Sequence, residues 1–339
     1  MAEQNRQWLL MKRPQGQPKA SDFEWRVEDV PTIEDGQYLV RILYAAMDPA
    51  IRGWMDPSGN YMDPIPLGTP VRSVVLGRVV ESKNDAYPEG MIVSGLGAWA
   101  DYVVGYPGMM GPIPAEWGHD LTTYLHPLGA VGATAYYGLF EVGQYKPGEN
   151  LLVSGAAGGV GSLVGQMGKI NGSKVVGIAG GPEKCAWLTD ELGFDAAIDY
   201  RATDDLSAAI GEHFPDGFDV YFENVGGPML EAAIDNMAMR ARIAVCGMIS
   251  QYNESDNPPP GPHNLWKLLV KRARIEGLLV SDYMHRAMEG YTQINEWIKS
   301  GDLKFKVDVR DGLEGAIDTF NCLFSGAHDG KLLLKIGEE

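Results

Sequence analysis

Residues 151–162 read LLVSGAAGGVGS, a buried-strand pattern that runs through small residues into a helix-like segment. Small residues at such a turn let the backbone approach a pyrophosphate, and the free amides at the helix start point toward its negative charge. Measured against the pattern G-x-G-x-x-G, the first position is Ala156, while Gly158 and Gly161 fit. The stretch predicts a dinucleotide-binding turn. The alternative is a closely packed strand-to-helix turn without a ligand.

Five further apolar segments follow this turn. Between them lie stretches of helical periodicity, such as residues 160–169 and 183–192. Strands buried on both faces and separated by helices are typical of a parallel sheet, so an α/β fold with a Rossmann doubly wound sheet is predicted. The six predicted strands are residues 150–154, 174–179, 196–199, 218–223, 242–246 and 275–280.

The N-terminal part of the chain has a different pattern. From Leu9 to about Val104, short apolar runs are cut by Pro and Gly, which predicts a mostly β domain of strands and irregular turns. The tail from about Gly301 returns to short strands and is expected to rejoin this domain. A length of 339 residues fits two domains.

Composition and charge argue against several classes of protein. Hydrophobic residues make up 45% of the chain and charged residues 22%, as in folded globular proteins. The formal net charge of −17 disfavours nucleic acid and anionic membranes as partners. Cys185, Cys246 and Cys322 are too few and too scattered for a disulfide framework or a zinc site. With no signal-peptide pattern and no apolar run long enough to span a bilayer, we expect a cytoplasmic protein that uses no metal.

The end of the second predicted strand indicates which nicotinamide cofactor is used. NAD enzymes normally place Asp or Glu there to bind the ribose hydroxyls, but this chain has Gly180 and Gly181. Lys184 follows, and the third strand ends in residues 199–201 (DYR), so cations and a phenol are expected where an extra phosphate would lie. We therefore predict NADP(H). The alternative for Lys184 is a solvated charge in the first turn of a helix.

Two later strand ends are expected at the same crevice, because ligands of open α/β sheets bind at the carboxyl ends of strands. Asn224 follows the fourth strand, and residues 246–253 (CGMISQYN) follow the fifth. Asn224 offers an amide to a ribose or to the nicotinamide. Its alternative is an ordinary turn residue.

These motifs resemble those of the zinc-independent medium-chain dehydrogenase/reductases, and within them the alkenal/one, prostaglandin and curcumin reductases. The resemblance covers essentially the whole chain. It implies a GroES-like, mostly β catalytic domain (residues 1–126 and 301–339) around a Rossmann domain (residues 127–300), NADPH as reductant, and a homodimer. The implied reaction reduces the carbon–carbon double bond of an α,β-unsaturated ketone or aldehyde. The motifs are residues 47–53 (MDPAIRG), 157–162 (AGGVGS), 179–185 (AGGPEKC), 223–227 (ENVGG) and 246–253.

The resemblance also implies roles for individual residues. Lys184 and Tyr200 correspond to contacts of the 2′-phosphate, and Tyr252 to the active-site tyrosine. The chain departs from the family at Ala50, where a Tyr is common, and at His328, which replaces an Asn on the cofactor side. The other expected cofactor contacts are Ala157, Gly158, Val160, Gly161, Gly180, Asn224, Cys246, Gly247, Ile249, Leu278 and Val280. The expected substrate pocket contains Ala50, Trp54, Tyr61 and Tyr283, and core packing is an equal alternative for its aromatic residues.

Without a metal, hydride transfer has to be assisted by geometry and hydrogen bonds. Hydride addition to the β-carbon moves charge to the carbonyl oxygen, and Tyr252 is the predicted donor that stabilises or protonates this enolate. The alternative for Tyr252 is an aromatic pocket wall, with water or the cofactor ribose supplying the proton. Two other functions stay open: an NADPH quinone oxidoreductase and a non-catalytic NADP-binding sensor.

Overall fold

The computed structural model describes residues 4–57, 61–254 and 259–339 and separates into two compact units. Unit 1 comprises Met1–Leu125 with Val307–Glu339, and unit 2 comprises His126–Lys306. The described strands are β1 (Gln4–Leu10), β2 (Phe23–Asp29), β3 (Tyr38–Ala46), β4 (Thr69–Pro70), β5 (Arg72–Ser82), β6 (Ile92–Ala98), β7 (Tyr102–Gly105), β8 (Met110–Pro112), β9 (Leu151–Ser154), β10 (Val175–Ala179), β11 (Ala196–Asp199), β12 (Phe218–Glu223), β13 (Met237–Val245), β14 (Arg274–Gly277), β15 (Val307–Asp311) and β16 (Lys331–Lys335). The described α-helices are α1 (Ala50–Trp54), α2 (Ala130–Tyr137), α3 (Gly159–Ile170), α4 (Pro182–Ala186), α5 (Leu206–His213), α6 (Gly227–Asp235), α7 (Trp266–Lys271), α8 (Ala287–Ser300) and α9 (Ala316–Ser325).

Unit 1 is built on two β-sheets. In the smaller sheet, β1 pairs antiparallel with β2 and β4. The larger sheet has the order β15-β16-β3-β5-β6-β8, and β7 also pairs with β3. Because β16 pairs antiparallel with β3, opposing Leu333 to Ala46, the C-terminal tail completes the larger sheet of this unit.

Unit 2 contains one six-stranded sheet with the order β11-β10-β9-β12-β13-β14, in which every neighbouring pair is parallel. The chain winds outward from β9 to β11 and then returns to the other side of β9 at β12. This reversal makes the gap between the carboxyl ends of β9 and β12 the switch point where such sheets bind ligands. The predicted doubly wound parallel sheet is confirmed.

The core of unit 2 explains why its strands read as continuous apolar runs. All five residues of β10 and all four of β9 are buried, since helices cover both faces of the sheet. Fully burying a Val, Leu or Ile side chain contributes about 1.5–3 kcal/mol, so these strands supply much of the unit's stability.

The first two predicted strands of unit 2 each begin one residue too early, and the fifth and sixth have bounds that are wrong by several residues. The fifth begins at Met237 rather than residue 242, and its pairing with β12 is irregular between Phe218 and Val220. Arg240 adopts a φ of +65° inside it, a conformation that propensity does not anticipate. The sixth ends at Gly277 instead of residue 280, and residue 280 is the first residue of a 3₁₀ helix (Val280–Arg286).

No helix within the described ranges is both long enough and apolar enough to span a bilayer.

Candidate cofactor and active site

The turn that joins β9 to α3 brings the helix very close to the strand. Gly155 has a φ of +56°, and Gly158 immediately precedes α3. The amide of Ala156 donates to Ile178 O at 3.0 Å, and that of Gly158 donates to Gly155 O at 2.9 Å. At Gly161, a Cβ would lie 2.5 Å from Gly155 O and 2.8 Å from the Cα of Ala156. Only glycine fits at position 161 without moving the turn.

This turn fits the pyrophosphate of a dinucleotide. Helix α3 is 12 residues long, and Gly158 has no side chain with which to cap its first amides. Exposed first-turn amides and the helix dipole favour an anionic partner at this end. The predicted contacts Ala157, Gly158, Val160 and Gly161 all lie in this turn and the first turn of α3.

The ends of β10 and β11 lie against each other at a second glycine turn. A Cβ on Gly180 would lie 2.8 Å from a ring carbon of Tyr200 and 2.9 Å from Nε of Arg201. The guanidinium carbon of Arg201 is 5.9 Å from the centre of the Tyr200 ring. Helix α4, which carries Lys184, packs against β11. The absence of a side chain at Gly180 therefore lets a phenol and a cation lie over this turn, as a 2′-phosphate site requires.

Asp199, the last residue of β11, joins the turn after β10 to the turn after β11. Its Oδ1 accepts hydrogen bonds from the amides of Gly181 at 2.8 Å and Arg201 at 3.0 Å. These backbone donors, Gly181 first, lower the pKa of Asp199 below its ordinary value. The carboxylate fixes backbone at this position.

Backbone hydrogen bonds join the turn after β12 to the loop after β13. The carbonyl oxygens of the first turn accept from the amides of the second: Glu223 O from Cys246 at 2.9 Å and Gly247 at 3.1 Å, Asn224 O from Ile249 at 3.2 Å, and Val225 O from Ser250 at 3.0 Å. The structure thus brings together the predicted residues Asn224, Cys246, Gly247 and Ile249 beside the switch point.

Asn224 also has a partner in β9. Its Nδ2 donates to Ser154 O at 2.7 Å, so part of its amide joins the carboxyl ends of β9 and β12. Cys246 is half-buried, and burial of its thiol raises the pKa to about 12, with the Glu223 charge as a second cause. The Cys246 thiol is therefore un-ionised at neutral pH.

Tyr252 follows the short 3₁₀ helix Ile249–Gln251 in the loop after β13, and its hydroxyl turns back onto that loop. The amide of Met248 donates to the Tyr252 hydroxyl oxygen at 3.1 Å, and a Cβ on Gly247 would lie 3.0 Å from the same oxygen. Burial raises the pKa of Tyr252 above its ordinary value of 10, although the hydrogen bond from Met248 lowers it. The phenol is protonated at neutral pH, and because its oxygen accepts from the backbone, its hydrogen is available for donation.

The remaining predicted residues of unit 2 follow β14. The amide of Leu278 donates to Val245 O at 2.9 Å, and the Leu278 side chain is so close to Gly138 that a Cβ there would lie 2.5 Å from it. Val280 starts the following 3₁₀ helix. Tyr283 stacks on Tyr137 with ring centres 5.1 Å apart, so it has a packing role in this unit.

Unit 1 carries the other predicted residues. Ala50 and Trp54 are the first and last residues of α1. Trp54 is only 5% exposed, and Tyr61, which is 53% exposed, meets its ring edge-on at 6.4 Å. In the turn before β16, Nδ1 of His328 lies 3.0 Å from Gly330 O, so this nitrogen carries the hydrogen if the contact is a hydrogen bond.

Two buried cations hold the segment around α1, and neither is among the predicted site residues. Arg52 is fully buried and Lys331 is 4% exposed. Arg52 donates to Pro14 O at 3.1 Å and Gly16 O at 3.2 Å and pairs with Asp56, whereas Lys331 donates to Met47 O at 2.9 Å and Asp48 Oδ1 at 2.5 Å. A buried cation persists only when it is paired, so both are positioning groups.

Within residues 4–57, 61–254 and 259–339, no three His, Cys, Asp or Glu side chains are grouped so that they could hold a metal ion.

Comparison with known proteins gives the same architecture over the whole chain. Two family models match: "N-terminal domain of oxidoreductase" over residues 6–113, and "Zinc-binding dehydrogenase" over residues 159–298. The chain is 40% identical to a 2-alkenal reductase (NADP⁺-dependent) of Nicotiana tabacum, over 100% of both chains. It is 38% identical to the NADPH-dependent curcumin reductase of Escherichia coli (strain K12), over 98% of this chain and 97% of that protein.

A solved structure agrees with these relatives. The crystal structure of CurA from Vibrio vulnificus in complex with NADPH superposes with a TM-score of 0.92 at 35% identity, covering 98% of this chain and 100% of that one. The chain belongs to the medium-chain dehydrogenase/reductases, in the group that contains the alkenal, curcumin and prostaglandin reductases.

Proposed function

We propose that this protein is an NADPH-dependent reductase of α,β-unsaturated ketones and aldehydes. The observation that carries the proposal is the second glycine turn, where Gly180 admits Tyr200 and Arg201 over the backbone in an arrangement suited to a 2′-phosphate. Relatives that align over nearly the full chain are named as a 2-alkenal reductase and a curcumin reductase, and both names include the phosphorylated cofactor.

The residues present would hold NADPH along the carboxyl edge of the unit 2 sheet. The turn before α3 would bind the pyrophosphate, and Gly180, Lys184 and Tyr200 the 2′-phosphate. When bound, this cofactor supplies the hydride that adds to the β-carbon of the substrate. The other proposed cofactor contacts are Asn224, Cys246, Gly247, Ile249, Leu278, Val280 and His328.

Tyr252 is the proposed acid. Its raised pKa keeps the phenol protonated, so it donates to the substrate carbonyl oxygen as negative charge develops there. A donor aimed at that oxygen stabilises the enolate more than the ground-state carbonyl, which is what lowers a barrier. Ala50, Trp54, Tyr61 and Tyr283 are the proposed substrate contacts.

The function is tested by following NADPH oxidation by the purified chain with an enone, an enal and a quinone. We expect turnover with the enone and enal, and a product two mass units heavier, since one hydride and one proton are added. Turnover with the quinone alone would replace this proposal by a quinone oxidoreductase. NADPH binding without turnover of any acceptor would favour a sensor.

Lys184→Ala should weaken NADPH binding by about 10- to 100-fold and leave NADH binding unchanged. A hydrogen bond to a charged group contributes about 1.5–3 kcal/mol, and NADH lacks the phosphate that receives it. Calorimetric titration with both cofactors measures the difference. Lys174→Ala is the matched control, because Lys174 lies before β10 at the opposite end of the strand. Equal losses of NADPH and NADH affinity would refute the phosphate assignment.

We also propose a homodimer that forms at β14, the edge strand of the unit 2 sheet. Edge strands offer unpaired backbone groups, and the neighbouring α7 exposes apolar side chains, Trp266 at 63% and Leu269 at 81%. Leu269→Glu should convert the dimer to a monomer in light scattering. A variant that keeps the wild-type mass would place the interface elsewhere.

A cytoplasmic location and the domain limits complete the proposal. All three cysteines are unpaired, as expected in a reducing compartment. Cell fractionation that recovers the protein outside the cytoplasm would overturn the location. We place the catalytic domain at residues 1–126 and 301–339 and the cofactor domain at residues 127–300.

A further inference from the structure

A fully buried carboxylate lies at the switch point of the unit 2 sheet. Glu223, the last residue of β12, has no exposed surface. Its Oε1 accepts hydrogen bonds from Ser154 Oγ at 2.7 Å and from the amides of Val225 at 2.5 Å and Gly226 at 3.0 Å. Its Oε2 accepts from the Tyr221 hydroxyl at 2.7 Å. The carboxylate therefore receives four hydrogen bonds from uncharged donors.

Such a group is costly to bury. Removing a carboxylate from water costs several kcal/mol, which is recovered only when fixed donors surround it. Two of the donors to Glu223 are backbone amides of the turn that follows it, so the carboxylate sets the path of residues 223–227. The carbonyl oxygens of residues 223–225 in turn hold residues 246–250 of the loop after β13, the loop that also carries Tyr252.

Ser154 extends the same network to β9. Its hydroxyl donates to Glu223 and accepts from the amide of Asn224 at 2.8 Å. Ser154 is fully buried and directly precedes Gly155, the first residue of the pyrophosphate turn. One side-chain hydroxyl thus connects the carboxyl ends of β9 and β12 across the gap at the switch point.

We propose that Glu223, Ser154 and Tyr221 form a positioning network that sets the spacing of three loops: the turn before α3, residues 223–227, and residues 246–252. This inference rests on the proposed NADPH site, which those loops form. All three residues are fully buried beneath the loops and act on the cofactor through backbone they hold. Disturbing the network should therefore change cofactor affinity more than it changes the chemical step.

The first test compares Ser154→Ala with Ser173→Ala. Ser173 is 2% exposed, its hydroxyl lies 2.5 Å from that of Tyr145, and it precedes β10 at the opposite edge of the sheet. Both variants lose a buried serine hydroxyl and should have similarly lowered melting temperatures. Only Ser154→Ala should raise the NADPH dissociation constant in calorimetry, by about tenfold, because a buried acceptor loses its partner next to the site. KM for NADPH should rise by the same factor while kcat changes less.

The second test uses the carboxylate itself. Glu223→Gln keeps one oxygen for Ser154 and the two amides, while its NH₂ can donate to the Tyr221 hydroxyl, which can reverse its direction. Glu223→Leu leaves all these donors without an acceptor. We expect the Gln variant to bind NADPH within about threefold of wild type, and the Leu variant to bind at least tenfold more weakly or to fail to fold.

The outcomes separate this inference from the function on which it rests. If the wild type takes up no NADPH in calorimetry, the proposed function and the network's role both fall. If the wild type binds normally while Ser154→Ala and Ser173→Ala have equal dissociation constants, only the network is overturned. The Ser154 and Ser173 variants each lose one hydroxyl, so the comparison stands even if Glu223→Leu does not fold.

Discussion

Tyr252→Phe is expected to slow enone reduction by about 10²-fold or more, while NADPH affinity stays within about threefold of wild type. The substitution removes the one hydrogen that the proposed acid donates and keeps the ring. It also removes the hydroxyl oxygen that accepts from Met248 at 3.1 Å, so the loop loses one hydrogen bond. Single-turnover measurement of NADPH oxidation, with calorimetry for cofactor binding, separates the chemical step from affinity.

Tyr87→Phe is the control for this experiment. The Tyr87 hydroxyl donates to Met110 O at 3.1 Å in unit 1, so this variant also loses one phenol-to-backbone contact. Its turnover should equal that of wild type. If Tyr252→Phe also turns over normally, Tyr252 is an aromatic pocket wall, and water or the cofactor ribose supplies the proton.

The pH profile gives an independent check on Tyr252. An acid acts in its protonated form, and burial raises the pKa of Tyr252 above 10. The contribution of Tyr252 is therefore fully present at neutral pH and is lost only as pH rises through the raised pKa. We therefore expect no fall in kcat with an enone that is due to ionisation of Tyr252 between pH 7 and about pH 10. A fall in kcat within this range that is absent in Tyr252→Phe would contradict the raised pKa.

The parallel strands of unit 2 are the part of the fold that sequence reasoning predicts best. β11 and β12 have the predicted bounds. In β12, a central strand of the sheet, all but one of the six residues are buried, as expected for a strand covered on both faces. β2 is not among the predicted strands, although Phe23, Trp25 and Val27 alternate with charged residues in the pattern of a half-buried strand. Its position depends on pairing with β1, a long-range contact that local patterns do not record.

The candidate site also has residues that the sequence predicts and contacts that only the structure shows. The glycines of the two turns are recognisable because backbone geometry limits those positions to one residue type. The partners of Glu223 are not, since Ser154 lies 69 residues away in the chain and meets Glu223 only when β9 and β12 pair. Likewise, Lys331 reaches Asp48 across 283 residues. A sequence motif can contain such residues, but it does not predict their partners. The partners follow from the topology that brings them together.

Gly161→Ala is expected to weaken NADPH binding by about 10²-fold, because the added methyl group meets backbone rather than a movable side chain. Its Cβ would lie 2.5 Å from Gly155 O and 2.8 Å from Ala156 Cα, closer than real Cβ contacts come. The turn must shift away from α3, and a shift that breaks two amide contacts to the pyrophosphate costs about 3 kcal/mol. Calorimetric titration with NADPH measures this loss.

Gly165→Ala, one turn further along the same helix, separates this effect from a general loss of stability. Its Cβ would lie 1.9 Å from the Phe194 ring, a core contact, so the variant should have a melting temperature at least as low as that of Gly161→Ala. Its NADPH affinity should stay within about threefold of wild type, since the strain lies away from the turn. Equal affinity losses in the two variants would mean that any distortion of α3 weakens NADPH binding. The close approach of Gly161 to the turn would then not be the cause.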